Sequence, residues 1–390
     1  MTVRARHWVL GLYLASAVFV TVQRGVVGRA NNFSVFRSAA VNLLEHRDLY
    51  AAHPEQHADY YKYSPTFAAL FVPLAVLPFA VALFLWSVAN SLLLYAAVRR
   101  LLPERAATLA LALVYLEVLF AMQYAQSNGI VAALIIFAFL ALEEGRQARA
   151  ALLIGVDTFI KIFPLGAAAL GIFRPRRWRF ALLLAAVVLG LGLLPLIFVP
   201  PHELLAQYRS WWAIEASDAD RLHRGDSVMQ YLYMWFGADW PNWPVQLVGT
   251  LLLLAPLALE RRRWSEAAFR LEFLCSLLVY LVLFNHQSER ASFVLAYTGV
   301  FVWYAAGPND PVRRAFALLG LGVLVLQDVQ VLPWTLHDAL GRYRVKGIPC
   351  LAAWLVMQVE LLGWRRTVRG SEGSEVRERE VPPPQPLPNS

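Results

Sequence analysis

Apolar residues run through this chain in long blocks, separated by short polar stretches in which arginine recurs. A helix must supply about 20 apolar residues to cross about 30 Å of hydrocarbon. On that measure the pattern predicts crossings near 8–28, 66–98, 106–122, 127–143, 180–199, 243–260, 267–285, 290–306, 315–331 and 347–364. The 66–98 block is too long for one straight helix, and Pro73 and Pro78 are expected to divide it. The block 150–173 is too short for two ordinary spans and reads as a broken or re-entrant hairpin turning near Phe163-Pro164. The expected fold is an all-α polytopic integral membrane protein with about ten transmembrane helices, that hairpin, and amphipathic helices in the outer loops. Residues 1–369 are expected to form one transmembrane domain, and the polar, proline-rich stretch 370–390 a disordered cytoplasmic tail.

Composition agrees with this reading. The apolar set makes up 58% of the residues and the charged set 16%, against about half and about a quarter in a soluble domain. Disorder, collagen and a disulfide scaffold are excluded, and Cys275 and Cys350 both fall in apolar runs. The net charge of +8 would suggest nucleic acid in a soluble protein. Here the arginines sit in short loops between apolar blocks: Arg99, Arg100 and Arg105; Arg146 and Arg149; Arg174, Arg176, Arg177 and Arg179; Arg261 to Arg263; Arg313 and Arg314; Arg365, Arg366 and Arg369. With alternating spans all of these share one side with Arg4 and Arg6. Both termini are then cytoplasmic, and no nucleic-acid partner is expected.

Two long loops, 29–65 and 200–242, fall on the outer side. All three lysines, Lys62, Lys161 and Lys346, map there or to the hairpin, as does every histidine except His7. Lysine on this side needs a reason: an ion pair or headgroup contact, or an anionic ligand such as a lipid phosphate. Phe33, Phe36, Ala40, Leu43 and Leu44 recur at helical spacing, which predicts an amphipathic helix capped by Asn31 or Asn32. Asp48, His57, Asp59 and Lys62 then crowd with aromatic residues ahead of the next span. That crowd reads either as an interfacial belt or as a sugar and phosphate site.

This loop resembles the opening of glycosyltransferase family 87, polyprenol-phosphate-sugar-dependent mannosyl- and hexosyltransferases of the GT-C fold. The matching elements are Asn32, Val35-Phe36, Ala39-Ala40, Asp48-Leu49-Tyr50 and Tyr63-Ser64-Pro65-Thr66-Phe67, followed by QSNGIV at 126–131 and IKIFPL at 160–165. The resemblance extends diffusely over about 8–290. It implies transfer of a hexose, mannose foremost, from a polyprenyl-phosphate donor to a glycan or glycolipid acceptor on the outer face of a bacterial plasma membrane. The lipid-linked sugar is a substrate, so no cofactor is expected. A transporter or flippase, or a catalytically inactive relative, would be the alternatives.

One position departs from the family. The resemblance puts the catalytic aspartate where this chain has Asn32, and an amide cannot serve as a general base. Either another outer carboxylate takes the role, or the acceptor geometry differs, or activity is lost. Glu289, in FNHQSER beside His286 and Arg290, is the first choice as base, and Asp48 the second, with an Asx-turn as its plain structural role. Asp59, Asp218, Asp220 and Asp226 are further carboxylates. Lys62, Lys161 and Lys346, with Arg290 and His286, are candidates for the donor phosphate, and Tyr63, Gln126 and Asn128 for the sugar. Lys161 also stands four residues after Asp157, the spacing of an intrahelical ion pair. Asp218-Ala219-Asp220 is literally D-x-D, but two acids in a polar loop arise often, and no metal is expected.

Overall fold

The computed structural model describes residues 3–27, 30–220, 224–308, 310–328 and 333–363. Among these, every regular element is helical. α1 (Val3–Val20) continues through a π-helical stretch at Thr21–Val27. There follow α2 (Asn31–Leu44), α3 (Pro65–Ala75), α4 (Phe79–Leu101), α5 (Glu104–Gln123), α6 (Asn128–Glu143) and α7 (Gln147–Ile160). A 3-10 helix, Phe163–Phe173, leads into α8 (Arg177–Gly192). The rest comprises α9 (Pro201–Asp220), α10 (Val228–Phe236), α11 (Asn242–Leu259), α12 (Ala267–Leu283), α13 (Phe293–Ala306), α14 (Pro311–Asp328), α15 (Trp334–Arg342) and α16 (Ile348–Leu361).

Proline punctuates this order. Ser64 caps α3 by accepting from the Phe67 amide at 3.0 Å, with Pro65 in the first helical turn. The long block at 66–98 divides at Pro78, which precedes α4, while Pro73 stays inside α3. α2 is the expected amphipathic helix and buries Phe33, Phe36, Ala40 and Leu43. Its N-cap is Ala30 rather than Asn31 or Asn32, because both asparagine side chains are engaged elsewhere. The hairpin breaks at Lys161, two residues before the expected turn.

The expectation of ten spans is not met. Among the described residues five helices are long and apolar enough to cross a membrane: Arg4–Val27, Phe79–Leu101, Glu104–Gln123, Arg177–Ile197 and Asn242–Leu259. The chain is an integral membrane protein with several apolar spanning helices, and the other five predicted crossings fall short of that measure among the described residues. α13 and α16 have 14 residues each and α6 has 16. At 1.5 Å per residue, 14 residues reach only about 21 Å. α14 has 18 residues but carries Arg313, Arg314 and Asp328. α13 is buried at every position from Phe293 to Trp303 and packs among α5, α6, α12, α14 and α16. A helix apolar all round can lie in lipid or at the centre of a protein, and periodicity does not separate the two. Gly299 permits a close approach to α12, since a Cβ there would stand 2.6 Å from the Cys275 carbonyl oxygen.

Lys346 supplies another correction. It lies in the turn before α16, where its ammonium pairs with Glu117 of α5 at 2.5 Å and sits 4.3 Å from the Phe120 ring centroid. Both side chains are almost fully buried. This lysine is accounted for by a carboxylate rather than by a ligand. Breaking a buried pair leaves an uncompensated charge, so Lys346→Met is expected to cost about 3–5 kcal/mol of stability. Thermal unfolding in detergent should show the drop, and adding Glu117→Leu should recover most of it. An unchanged melting temperature in the single variant would refute the account.

Candidate functional site

A cavity of about 760 Å³ opens between the loop ahead of α3, the α5–α6 turn, the end of α7, α9, α11 and the α12–α13 turn. Ile162, Phe163, Gly166, Leu281 and Phe284 give its wall apolar surface. Asn32, Asp59, Lys62, Gln126, Lys161, His286 and Glu289 give it polar and charged groups. Such a volume falls in the usual range for small-molecule sites.

Glu289 terminates the α12–α13 connection and is solvent-exposed into this space. It forms a reciprocal capping box with Ser292, whose hydroxyl accepts from the Glu289 amide at 3.3 Å. Glu289 Oε2 also accepts from Gln126 Nε2 at 2.9 Å, and Gln126 Oε1 accepts from the Tyr63 hydroxyl at 3.3 Å. The buried Gln126 therefore links the base of α3 to the carboxylate, and both ends of its amide are used. His286 stands beside them, its Nδ1 3.3 Å from Gln246 Nε2. An amide nitrogen donates, so Nδ1 accepts and the neutral ring carries its proton on Nε2.

Lys161 also lines the cavity. The ion pair with Asp157 suggested by their spacing does not form, because Lys161 leaves the helix in an extended conformation (φ −146°, ψ 144°). Both carboxylate oxygens of Asp157 are buried without a hydrogen-bond partner among the described residues. The Lys161 ammonium lies 5.9 Å from the Tyr63 ring centroid and 6.0 Å from that of Phe163. Among the described residues it has no carboxylate within ion-pair distance.

Other nominated residues are elsewhere. Asp48 is exposed, outside the cavity wall, and its Oδ1 accepts from the Tyr50 amide at 2.9 Å, which is the Asx-turn. Asn128 opens α6 fully buried and off the cavity lining, its side-chain amide atoms without a hydrogen-bond partner among the described residues. Arg290 lies over the Phe120 ring at 5.7 Å, beside buried Lys346 and away from the cavity lining. Asp226 is buried against Arg344; burial raises its carboxyl above the ordinary value while Arg344 pulls it down. The side chains of Asp218, Asp220 and His337, residue His223, and the tail 370–390 lie outside the described residues. Asn32 does line the cavity, with Nδ2 donating to the Tyr124 carbonyl at 2.8 Å.

The sequence reading missed Trp211, Glu215, Gln246 and Gln287, all in the cavity wall. The aromatic-rich stretch beginning WWAIE was visible, but nothing in its spacing says that α9 turns Trp211 and Glu215 inward.

The sequence pattern of glycosyltransferase family 87 matches residues 61–284, more than half of the chain. The chain belongs to glycosyltransferase family 87. Within this family 87 protein the matched stretch contains Lys62, Tyr63, Gln126 and Lys161, while Asn32, His286 and Glu289 fall outside it. A polyprenol-phosphate-mannose-dependent alpha-(1-2)-phosphatidylinositol pentamannoside mannosyltransferase from Mycolicibacterium smegmatis is similar to it. The two are 28% identical over 334 residues, covering 80% of this chain and 78% of the relative.

Proposed function

We propose that this family 87 protein moves a hexose, mannose foremost, from a polyprenyl-phosphate donor to a hydroxyl of a glycan or glycolipid acceptor. The single observation that carries the reading is one cavity whose wall joins apolar side chains, an ammonium with no carboxylate within ion-pair distance among the described residues, and a tethered carboxylate. In this scheme the polyprenyl chain leaves along Phe163, Gly166 and Leu281, and its phosphate faces Lys161, with Lys62 and His286 as further donors. Glu289 takes the acceptor proton as the acceptor oxygen bonds to the anomeric carbon. The anomeric carbon–oxygen bond to phosphate breaks through an oxocarbenium-like transition state, and Lys161 stabilises the departing charge. Tyr63 and Gln126 hold Glu289 in place. The name of the mycobacterial relative supports both the donor class and the sugar. The arginine loops support cytoplasmic termini and an extracytoplasmic active face in a bacterial plasma membrane. In the same reading residues 1–369 make up the transmembrane domain.

Purified protein incubated with a panel of polyprenyl-phosphate sugars and glycan acceptors should give a hexose-extended product by mass spectrometry. No product with any donor would leave an inactive relative, the reading Asn32 favours. Gly166 offers a narrower test, because a Cβ there would lie 2.9 Å from Leu281 Cδ2, and both residues line the cavity. Gly166→Val is expected to lower turnover of long-chain donors about tenfold and to spare short-chain donors. Equal loss for both chain lengths would place the lipid elsewhere.

A further inference from the structure

We infer that the turn of α9 bearing Trp211 and Glu215 is the acceptor subsite, and that it takes an uncharged sugar ring. The inference rests on the transferase reading of the same cavity and names its second substrate. Trp211 and Glu215 are four residues apart, on one face of α9, and both line the cavity. The Trp211 indole N–H donates to the Lys62 carbonyl at 3.1 Å. With its donor used, what Trp211 offers the cavity is apolar ring surface, which suits the C–H face of a pyranose. Glu215 Oε2 accepts from Gln287 Nε2 at 2.9 Å, which fixes the carboxylate against the turn that leads to Glu289. A carboxylate has about four lone-pair sites, so a Glu215 held by Gln287 can also accept from sugar hydroxyls.

The platform is anchored along its length. Gln207 accepts from the Leu49 amide at 3.1 Å and donates to the Arg47 carbonyl at 2.9 Å. The Tyr208 hydroxyl donates to the Gly192 carbonyl at 2.8 Å. A ring stacked on α9 would therefore meet a fixed surface rather than a loose loop.

Charge decides the class of ligand. Asp59 and Glu215 both line the cavity, and Asp59 is held by Asn31 Nδ2 at 2.5 Å. The charged lining is completed by Lys62, Lys161 and Glu289, and Glu215 stands one helical turn from the Trp211 ring. A carboxylate so close to the ring disfavours an anion on α9, while a neutral polyol meets an aromatic face and a carboxylate acceptor.

The test uses the full-length protein in detergent with octyl α-mannoside as the neutral probe and octyl glucuronide as the anionic one. Calorimetric titration without donor should give saturable mannoside binding. Trp211→Ala and Glu215→Gln should each weaken it about tenfold, and Trp211→Phe should retain most of it. The glucuronide should bind about tenfold more weakly than the mannoside, with Glu215→Gln narrowing the gap. In transfer assays the same two variants should raise the acceptor KM and leave the donor KM within about twofold. Mannoside binding that ignores both substitutions, glucuronide binding as tight as mannoside, or a donor KM that rises in step overturns the assignment. Mannoside binding with no transfer from any donor would defeat the transferase reading alone, and transfer without sensitivity at Trp211 and Glu215 would defeat this one alone.

Discussion

Glu289→Gln is expected to lower hexose transfer by about 10²–10⁴-fold, the range that a positioned general base contributes. The substitution keeps the size of the side chain and leaves a carbonyl oxygen to accept from Gln126 and from the capped turn. Thermal stability in detergent should stay near that of the unsubstituted protein, which separates chemistry from folding. The fall should appear in kcat, because proton removal belongs to the transition state more than to substrate binding. Turnover close to normal would remove Glu289 as the base and turn attention to Asp59 and Glu215, the other carboxylates in the cavity wall.

Lys161→Ala is expected to cost about 10²–10³-fold in kcat, comparable with losing one donor to a developing oxyanion. The departing group carries phosphate charge, and Lys161 is a cation on that wall with no carboxylate within ion-pair distance among the described residues. The loss should therefore depend on the donor, with acceptor KM little changed. Stability should barely move, because no ion pair is broken. That behaviour contrasts with Lys346, whose replacement should destabilise the protein through Glu117. If Lys161→Ala leaves donor dependence intact, the ammonium has no part in holding phosphate.

These two lysines also show where sequence reasoning reaches its limit. Both stood out because positive charge on the outer side needs a reason. Neither partner could be read from spacing. Lys161 has an acid four residues earlier, yet a backbone break turns it away from that acid. Lys346 has its acid in α5, far away in sequence. Glu289 was legible as a polar cluster between apolar blocks, but the tether through Gln126 and Tyr63 joins three separate stretches and exists only in the fold. Asp48 shows the converse, for its local turn chemistry was written in the sequence and is what the structure contains. The all-helical character followed from hydropathy, and the number of spans did not. Burial within protein and burial within lipid leave the same apolar signature, and α13 is of the first kind.

Position 32 is coupled to the turn it faces. Its amide points a hydrogen at the carbonyl of Tyr124, in a turn whose next residue, Ala125, has a left-handed backbone (φ 50°). An ionised acid there would set oxygen against oxygen, so Asn32→Asp is expected to displace either the side chain or the Tyr124 turn. A second substitution that turns the Tyr124 carbonyl aside would relieve that contact, so the effect of an acid at position 32 depends on the turn it faces.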